Sequence, residues 1–219
     1  VRSHVPDIIV SDVMMPRMNG YKLCKTIKED INISHIPVIL LTARDDRQSQ
    51  ISGYKNGADG YLSKPFEVEM LMELIRNRLK NREYTKKRYL NAGLIPTPEE
   101  STISLTDETF LIKLNSIIQE NIENSNLGIQ FICQEVGLGR SSLYNKLKAL
   151  TGMGANEYIS KLRIEKAITL ISGTDMPFSE IAEKTGFTTP SYFSTAFKQY
   201  TGETPSQYKE RKKKGLADK

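Results

Sequence analysis

Three short apolar segments alternate with amphipathic stretches in the first 80 residues, and this alternation limits the folds open to that region. The apolar segments cover residues 8–10, 38–41 and 60–62, and helical patterns cover 21–29, 48–56 and 67–80. Strands that alternate with helices pair in parallel and form βαβ units. Because the segments are apolar throughout, we expect helices on both faces of the sheet. The region is therefore predicted to be an α/β domain with a parallel sheet.

Each of the three predicted strands ends in a residue that can take part in phosphoryl chemistry. Asp12 follows the first strand, Thr42 the second and Lys64 the third. The carboxyl ends of parallel strands share one edge of a sheet, so these three side chains are expected to meet there. A carboxylate can attack phosphorus, while a lysine and a hydroxyl can hold the phosphoryl oxygens. The edge is therefore a candidate phosphoacceptor site.

The segments 7–20, 37–43 and 57–66 resemble response-regulator receiver domains in their order and spacing. The resemblance implies a flavodoxin-like receiver in which Asp12 accepts phosphate from a histidine kinase. It also implies that Lys64 contacts the phosphoryl group, that Thr42 hydrogen-bonds it, and that Tyr61 is the aromatic switch residue. The peptide bond before Pro65 is expected to be cis, as is usual in that family.

The receiver resemblance further implies a Mg²⁺ ion at Asp12, with a backbone carbonyl supplied by Met14. In that family, an acidic pair at the end of the first strand completes the metal site. The first strand, first helix and second strand of a receiver would precede Val1, so we expect the receiver to be truncated here and the natural protein to be longer. Mg²⁺ demands near-complete octahedral oxygen coordination. We therefore expect Mg²⁺ in the whole receiver but not in a chain of this extent.

A change of composition over residues 81–105 predicts a linker between two domains. Gly93, Pro96 and Pro98 interrupt any helical period, although residues 81–88 can extend the preceding helix. Helix is predicted to resume at Thr106 as the N-cap, followed by apolar residues at helical spacing. The resulting division is a receiver at 1–80, a linker at 81–105 and a second domain at 106–219.

An internal repeat defines the second domain. Residues 132–137 correspond to 181–186, and residues 143–158 correspond to 193–208, with an offset that grows from 49 to 50. Each copy reads as a short helix, a glycine-containing turn and a second helix, which is the helix-turn-helix pattern. Between the copies, residues 156–171 form one apolar-striped helix of roughly 25 Å. Such a helix can separate two recognition helices by about one DNA turn, roughly 34 Å.

The segments 136–152 and 185–208 strongly resemble the AraC-type DNA-binding domain, an all-α fold with two helix-turn-helix units. The resemblance directs Ser141, Tyr144 and Asn145 of the first recognition helix toward DNA bases. From the second helix it directs Ser191, Tyr192 and Thr195, the last of which is often Arg in relatives. Candidates for contacts at the base rim or with phosphates are Arg140, Ser142, Lys146, Thr189 and Lys198. Buried packing is expected instead for Leu143, Leu147, Phe187, Phe193 and Phe197.

Charge and residue usage agree with a nucleic-acid partner and disfavour several other classes. Residues 124–219 contain 14 basic and 9 acidic side chains, whereas residues 1–80 contain 12 and 10. The two cysteines, Cys24 and Cys133, lie far apart and fit a reducing cytoplasm, without a zinc or disulfide framework. No P-loop or Ser-His-Asp pattern suggests an enzyme, and no β-rich segment suggests a small-ligand sensor. The basic run 209–214 is expected to be a solvated tail.

Taken as a whole, the sequence predicts a DNA-binding transcription regulator of a two-component phosphorelay, controlled by phosphorylation of Asp12. The combination of domains resembles hybrid systems of gut Bacteroidetes, in which sensor and kinase precede the receiver in one polypeptide that the inner membrane anchors. One alternative is a free-standing response regulator whose kinase acts in trans. Another is a phosphorylation-independent DNA-binding module whose receiver serves only as a dimerisation scaffold. The expected partners are double-stranded DNA across two adjacent major grooves, a histidine kinase domain and a second copy through the receiver.

Overall fold

A computed structural model describes residues 5–43, 57–92 and 104–217 of the chain. The helix expected over residues 48–56 lies outside these ranges. The chain divides into two compact units, of which the first combines Val1–Ile112 with Ser141–Gly152. The second combines Lys113–Arg140 with Met153–Lys219.

Three strands and nine helices make up the described residues. The strands are β1 (Ile9–Asp12), β2 (Val38–Ala43) and β3 (Gly60–Lys64). The helices are α1 (Gly20–Glu29), α2 (Val68–Ala92), α3 (Leu105–Glu120), α4 (Ile129–Val136), α5 (Arg140–Thr151), α6 (Ala155–Gly173), α7 (Phe178–Lys184), α8 (Pro190–Thr201) and α9 (Pro205–Ala217). None of these helices has the length and apolarity that crossing a bilayer requires.

The first unit contains the predicted parallel sheet, in the order β1-β2-β3. Ile9 lies opposite Val38, and Ile39 lies opposite Gly60. β1 and β3 each extend two residues beyond the apolar segments seen in the sequence. Asp12 and Lys64 are therefore the last residues of their strands, held in the hydrogen-bonded ladder and not in mobile loops.

Helix α1 covers one side of this sheet and begins at a close approach of the backbone. The Asn19 side chain caps the helix by accepting a hydrogen bond from the Lys22 N–H at 2.8 Å. A Cβ on Gly20 would lie 2.5 Å from the carbonyl oxygen of Asp12, so only glycine fits there. The apolar side of α1 joins a buried cluster formed by Val13, Cys24, Ile27, Ile33, Ile36, Val38 and Leu40.

Helix α2 is longer than the sequence pattern indicates. Its half-buried positions recur at helical spacing at Leu71, Leu74 and Ile75, and Leu74 Cδ2 lies 3.4 Å from where a Cβ on Gly60 would be. The helix continues to Ala92, so the first twelve residues of the predicted linker are helical.

The start of α3 differs from the sequence prediction. The Asp107 N–H donates to the Ser104 hydroxyl at 3.2 Å, which makes Ser104 the capping side chain. Thr106, which the sequence indicated as the N-cap, instead donates its hydroxyl hydrogen to the Lys28 carbonyl at 3.0 Å. The N-cap prediction was wrong because Thr106 bonds a residue 78 positions away in the sequence, and a local sequence pattern cannot indicate such a partner.

The structure confirms the internal repeat through matching backbone features. Gly137 and Gly186 end the first helix of each copy with φ of 72° and 73°, in the left-handed region that favours glycine. In each second helix, a threonine hydroxyl bonds the carbonyl four residues earlier, from Thr151 and Thr201, at 2.8 Å in both copies. The two copies therefore share their turns and their terminating hydrogen bonds.

The second unit is held together by an aromatic cluster. Ring centroids of Phe187 and Phe193 lie 5.4 Å apart, those of Phe193 and Phe197 lie 5.7 Å apart, and Tyr208 packs edge-on against Phe197 at 5.6 Å. The other buried members are Ile164, Ala167, Ile171, Ile181 and Ala182. Leu143 and Leu147 in the first unit are also buried, so the predicted core assignment of all five residues is confirmed.

The basic run 209–214 is largely solvated, as the sequence predicted, but it belongs to a helix and is not a tail beyond the fold. It lies within α9, and Lys209 Nζ is 3.3 Å from a carboxylate oxygen of Asp175. Tyr208 anchors the helix because its ring packs on Phe197. The remaining basic side chains of the run are exposed, as expected.

We expect the buried histidine of the first unit to make the protein less stable in acid. His35 is buried, and its Nδ1 has no hydrogen-bond partner among the described residues. Burial first, and then the charge of Lys146, lower its pKa to about 4. A folded pKa below the unfolded value near 6.5 favours the neutral form. The resulting stability is present above pH 6.5 and is lost as the pH falls toward 4, by up to about 3 kcal/mol.

Urea denaturation at a series of pH values tests this expectation. His35→Leu removes the titrating group, so its free energy of unfolding should vary less between pH 6.5 and pH 4 than that of the parent. Equal pH dependence in both proteins would contradict a neutral, buried His35.

Candidate functional site

The three residues predicted at the sheet edge come together in the structure. β1 and β3 flank β2, and Lys64 Nζ forms an ion pair with Asp12 Oδ2 across the carboxyl edge of the sheet. The other carboxylate oxygen, Oδ1, accepts the Met14 N–H at 3.0 Å. The Asp12 side chain is 34% exposed and the Lys64 side chain 45% exposed, so the pair is accessible from solution. The Lys64–Pro65 peptide bond is cis, as expected.

These contacts keep the Asp12 carboxylate charged. The hydrogen bond from Lys64 lowers the pKa of Asp12 below its ordinary value, and the Met14 N–H lowers it further. An ionised carboxylate is the form that can act as a nucleophile. The ammonium group of Lys64 is in contact with this carboxylate and can stabilise negative charge beside it.

Thr42 contributes a buried hydroxyl beside this pair. It is 1% exposed, and its Oγ1 has no hydrogen-bond partner within the described ranges. A buried hydroxyl usually has a partner because desolvation without one is costly. The Thr42 hydroxyl can therefore donate a hydrogen bond to an oxygen atom bound at this edge. Tyr61 is half-buried against the cluster beneath α1.

The described residues supply too few oxygen ligands for Mg²⁺. Asp12 is the carboxylate at this edge, and the resemblance adds only the carbonyl of Met14. Nowhere in the described ranges do three or more His, Cys, Asp or Glu side chains gather to hold a metal. Mg²⁺ takes six oxygen ligands and retains several waters. An ion here would need ligands from outside the described residues.

Helix α8 presents a continuous polar face. Ser191, Tyr192, Thr195 and Lys198 are all exposed, whereas Phe193 and Phe197 on the opposite face are fully buried. The aromatic cluster therefore fixes which side of α8 meets solvent. This is the side that the sequence predicted to face DNA.

The N-terminus of α8 is capped by one of the predicted contact residues. The Thr189 side chain accepts a hydrogen bond from the Tyr192 N–H at 3.2 Å, and Pro190 occupies the first helical position. Thr189 therefore already has a structural role. Its exposed hydroxyl can still donate to a phosphate oxygen.

Helix α5 has the predicted face at most positions. Arg140, Ser141, Tyr144 and Asn145 are exposed, and Ser142 is half-buried. Tyr144 is 55% exposed, similar to Tyr192 at 56% in the second copy.

Lys146 is the exception, and its predicted contact with DNA must be corrected. It is fully buried, its Nζ forms an ion pair with Asp107 Oδ1, and the same atom donates to the Ser34 hydroxyl at 2.8 Å. The Nζ also lies 5.1 Å from the centroid of the Phe110 ring. The helical period places Lys146 on the inward side with Leu143 and Leu147, so it cannot reach a phosphate.

Sequence reasoning missed Lys148 as a contact candidate. It is exposed on α5, and the repeat offset of 50 makes it the counterpart of Lys198. The repeat itself was the available signal, because the first copy should carry a cation wherever the second one does.

Comparisons with known proteins agree with both halves of the structure. The response regulator receiver domain family matches residues 1–76, and the helix-turn-helix domain family matches residues 132–211. A probable transcriptional regulator, ycf29 of Pyropia yezoensis, is 30% identical over 69% of this chain and 73% of its own length. The chain joins a response-regulator receiver domain to an AraC-type helix-turn-helix domain.

Two further proteins are similar to this chain over different extents. Histidine kinase P4 of Formosa agariphila is 42% identical over 96% of this chain, but the chain spans only 15% of that protein's length. The C-terminal domain of AraT, a response regulator from Geobacillus stearothermophilus, is 31% identical over 47% of this chain and 84% of its own, with a TM-score of 0.44. Receiver and helix-turn-helix domains are regulatory modules.

Removing the receiver lysine should raise the pKa of Asp12. In Lys64→Met, the carboxylate loses its largest stabilising contact, so its pKa should move up toward the ordinary value of 3.8. Carboxyl-carbon NMR titration of Asp12 measures the change. The exposed Lys22→Met is the control and should leave the Asp12 titration unchanged. An identical titration in Lys64→Met would mean that the ion pair does not form in solution.

Proposed function

We propose that this protein is a sequence-specific DNA-binding transcription regulator controlled by phosphorylation of its receiver domain. The observation that carries the proposal is the polar face of α8, which the Phe193–Phe197 core turns toward solvent. A helix presented in this way can lie in a major groove, which is about 12 Å wide and 8.5 Å deep. The AraC-type domain match and the basic C-terminal half support the same function.

Specific contacts would come from short polar and aromatic side chains near the start of each recognition helix. Ser191, Tyr192 and Thr195 would read bases from α8, where the Thr methyl group can contact the methyl of thymine. Tyr144, Asn145 and Ser141 would do so from α5, and Asn is suited to bidentate pairing with adenine. Contacts with phosphates would come from Arg140, Ser142, Lys148, Thr189 and Lys198.

Control by phosphorylation would act through Asp12. A carboxylate oxygen of Asp12 would form a bond to the phosphorus atom, and the kinase histidine nitrogen would leave with the electrons of its former bond. Lys64 and the unpartnered hydroxyl of Thr42 would then hold the phosphoryl oxygens. Tyr61 would respond to the inward movement of Thr42 and bias the receiver between two states.

The kinase is proposed to be part of the same polypeptide in the whole protein. The 42% identity with histidine kinase P4 across nearly all of this chain supports a hybrid arrangement. A kinase acting in trans is the second candidate. It is supported by ycf29, which aligns over 73% of its own length and is named a probable transcriptional regulator, not a kinase. A second copy of the receiver is the proposed dimerisation partner.

Substitutions on both recognition helices should weaken specific DNA binding. Tyr192→Ala, Tyr144→Ala and Asn145→Ala each remove a base contact and should cost roughly 1–3 kcal/mol on a duplex selected from a random pool. Titrations of the whole chain against that duplex measure the loss. Unchanged affinity in all three variants would refute the proposed recognition faces.

The phosphate contact of Lys198 can be tested separately through salt dependence. Lys198→Ala should reduce the slope of log affinity against log salt by about one. Lys113 is an exposed cation on α3, outside both recognition helices, and Lys113→Ala is the charge-matched control with an unchanged slope. Equal slopes for the two variants would remove Lys198 from the interface.

Phosphorylation should depend on Asp12 and not on its exposed neighbour Asp7. In the whole protein, acetyl phosphate with Mg²⁺ should produce an acid-stable, base-labile acyl phosphate that Asp12→Asn abolishes and Asp7→Asn retains. The Asp7 side chain is 91% exposed, which makes it a suitable control. If DNA affinity is the same before and after labelling, the receiver is a scaffold and not a switch.

A further inference from the structure

A serine of the receiver domain is bonded to the first recognition helix. Ser34 lies in the turn between α1 and β2, is fully buried, and donates its hydroxyl hydrogen to Asp107 Oδ1 at 2.7 Å. The same hydroxyl accepts a hydrogen bond from Lys146 Nζ at 2.8 Å. Asp107 begins the AraC-type domain on α3, and Lys146 lies on α5. One receiver side chain thus completes a buried polar cluster of three residues.

The receiver turn that carries Ser34 is rigid. Lys28 Nζ donates to the carbonyl oxygens of Ser34 at 3.3 Å and Ile36 at 3.0 Å, and it forms an ion pair with Asp59 at 2.7 Å. The Lys28 carbonyl in turn accepts the hydroxyl of Thr106 at 3.0 Å. Two hydroxyl groups, from Ser34 and Thr106, therefore connect a preformed receiver surface to the DNA-binding half of the chain.

An open cleft separates the base-reading side of α5 from the receiver. On the α5 side it is lined by Ser141, Ser142, Tyr144, Asn145 and Lys148. The opposite wall contains the end of α1, the turn after it and the segment before β1, including Glu29, Asn32 and Asp7. Arg82 and Lys86 of α2 also line it.

This cleft is incompatible with DNA reading by α5. Side chains such as Tyr144 and Asn145 are exposed to water, but the cleft in front of them has a volume of about 1160 Å³. A duplex whose major groove alone is about 12 Å wide and 8.5 Å deep does not fit in that space beside the opposite wall. The first recognition helix is therefore solvated but not available to a duplex.

We propose that this arrangement is a closed state, in which Ser34 latches the first recognition helix to the receiver and withholds it from DNA. The inference rests on the proposed function and adds the contact that regulates it. Release exposes Tyr144 and Asn145, so the open state binds duplex DNA more tightly than the closed state.

The chemistry of the cluster makes the latch reversible. The receiver contributes only a neutral hydroxyl, while both charges, Lys146 and Asp107, belong to the DNA-binding half. Opening therefore separates no ion pair and leaves no unpaired charge buried. A hydrogen bond between a hydroxyl and a charged group is weak enough for a second event to break.

Ser34→Ala in the whole chain tests the latch. The variant loses both hydroxyl bonds and keeps the Lys146–Asp107 pair, so affinity for a mixed-sequence duplex of about 30 base pairs at low salt should rise roughly three- to tenfold. Thr109→Val is the matched control, because the Thr109 hydroxyl bonds only the Leu105 carbonyl within α3, at 2.8 Å. It should bind like the parent.

Hydrogen exchange of the DNA-free proteins gives a second, independent readout. Amides of residues 30–37 and of 141–150 should both exchange faster in Ser34→Ala, while those of β2 should keep the parent rate. Parent-like exchange in both segments, or faster exchange throughout β2, would overturn the latch, whatever the affinity.

The two readouts also separate failure of the latch from failure of the proposed function. If neither the parent nor Ser34→Ala binds the duplex at low salt, DNA recognition is refuted, and the exchange rates alone decide the latch. If both bind with equal affinity, DNA recognition stands and the latch is refuted.

Discussion

The ion pair between Lys146 and Asp107 is the constraint on which the first unit depends. A lysine on the inward side of a recognition helix must have an acid beside it, because an unpaired buried charge costs several kcal/mol. Asp107 meets that need from the start of α3, and Phe110 covers the ammonium group with its ring. The pair fixes α5 against α3, and the same Asp107 oxygen, Oδ1, also accepts the receiver hydroxyl of Ser34.

The proposed phosphoacceptor edge follows from strand direction alone. Three parallel strands bring Asp12, Thr42 and Lys64 to one edge whatever the loops between them do, and the backbone ladder holds the first and last of them in place. The hydrogen bond from Lys64 lowers the pKa of Asp12, so this edge carries the ionised carboxylate that the proposed phosphoryl transfer would need. In that proposal, the Thr42 hydroxyl would gain its hydrogen bond when a phosphoryl oxygen binds.

Local patterns in the sequence predicted the strands, the two helix-turn-helix copies, the polar face of α8 and the meeting of Asp12 with Lys64, since each depends on period or strand order. They failed where a distant partner decides the outcome. Thr106 bonds Lys28 and not its own helix, and the burial of Lys146 depends on Asp107 and Ser34. The helical run 209–214 was also missed, because its order comes from the packing of Tyr208 on Phe197. Lys148 is the one missed contact candidate that the sequence could have indicated, because the repeat makes it the counterpart of Lys198.

The two copies share their left-handed glycines and their threonine hydrogen bonds, yet their exposed faces differ. Tyr144 and Asn145 have no identical counterparts among Ser191, Tyr192 and Thr195 at the repeat offset. A polypeptide with two unlike reading faces has no internal dyad, so a site matched to both would be non-palindromic. Such a site would have a left and a right end, and each copy of the chain bound to it would lie along the duplex in one direction only.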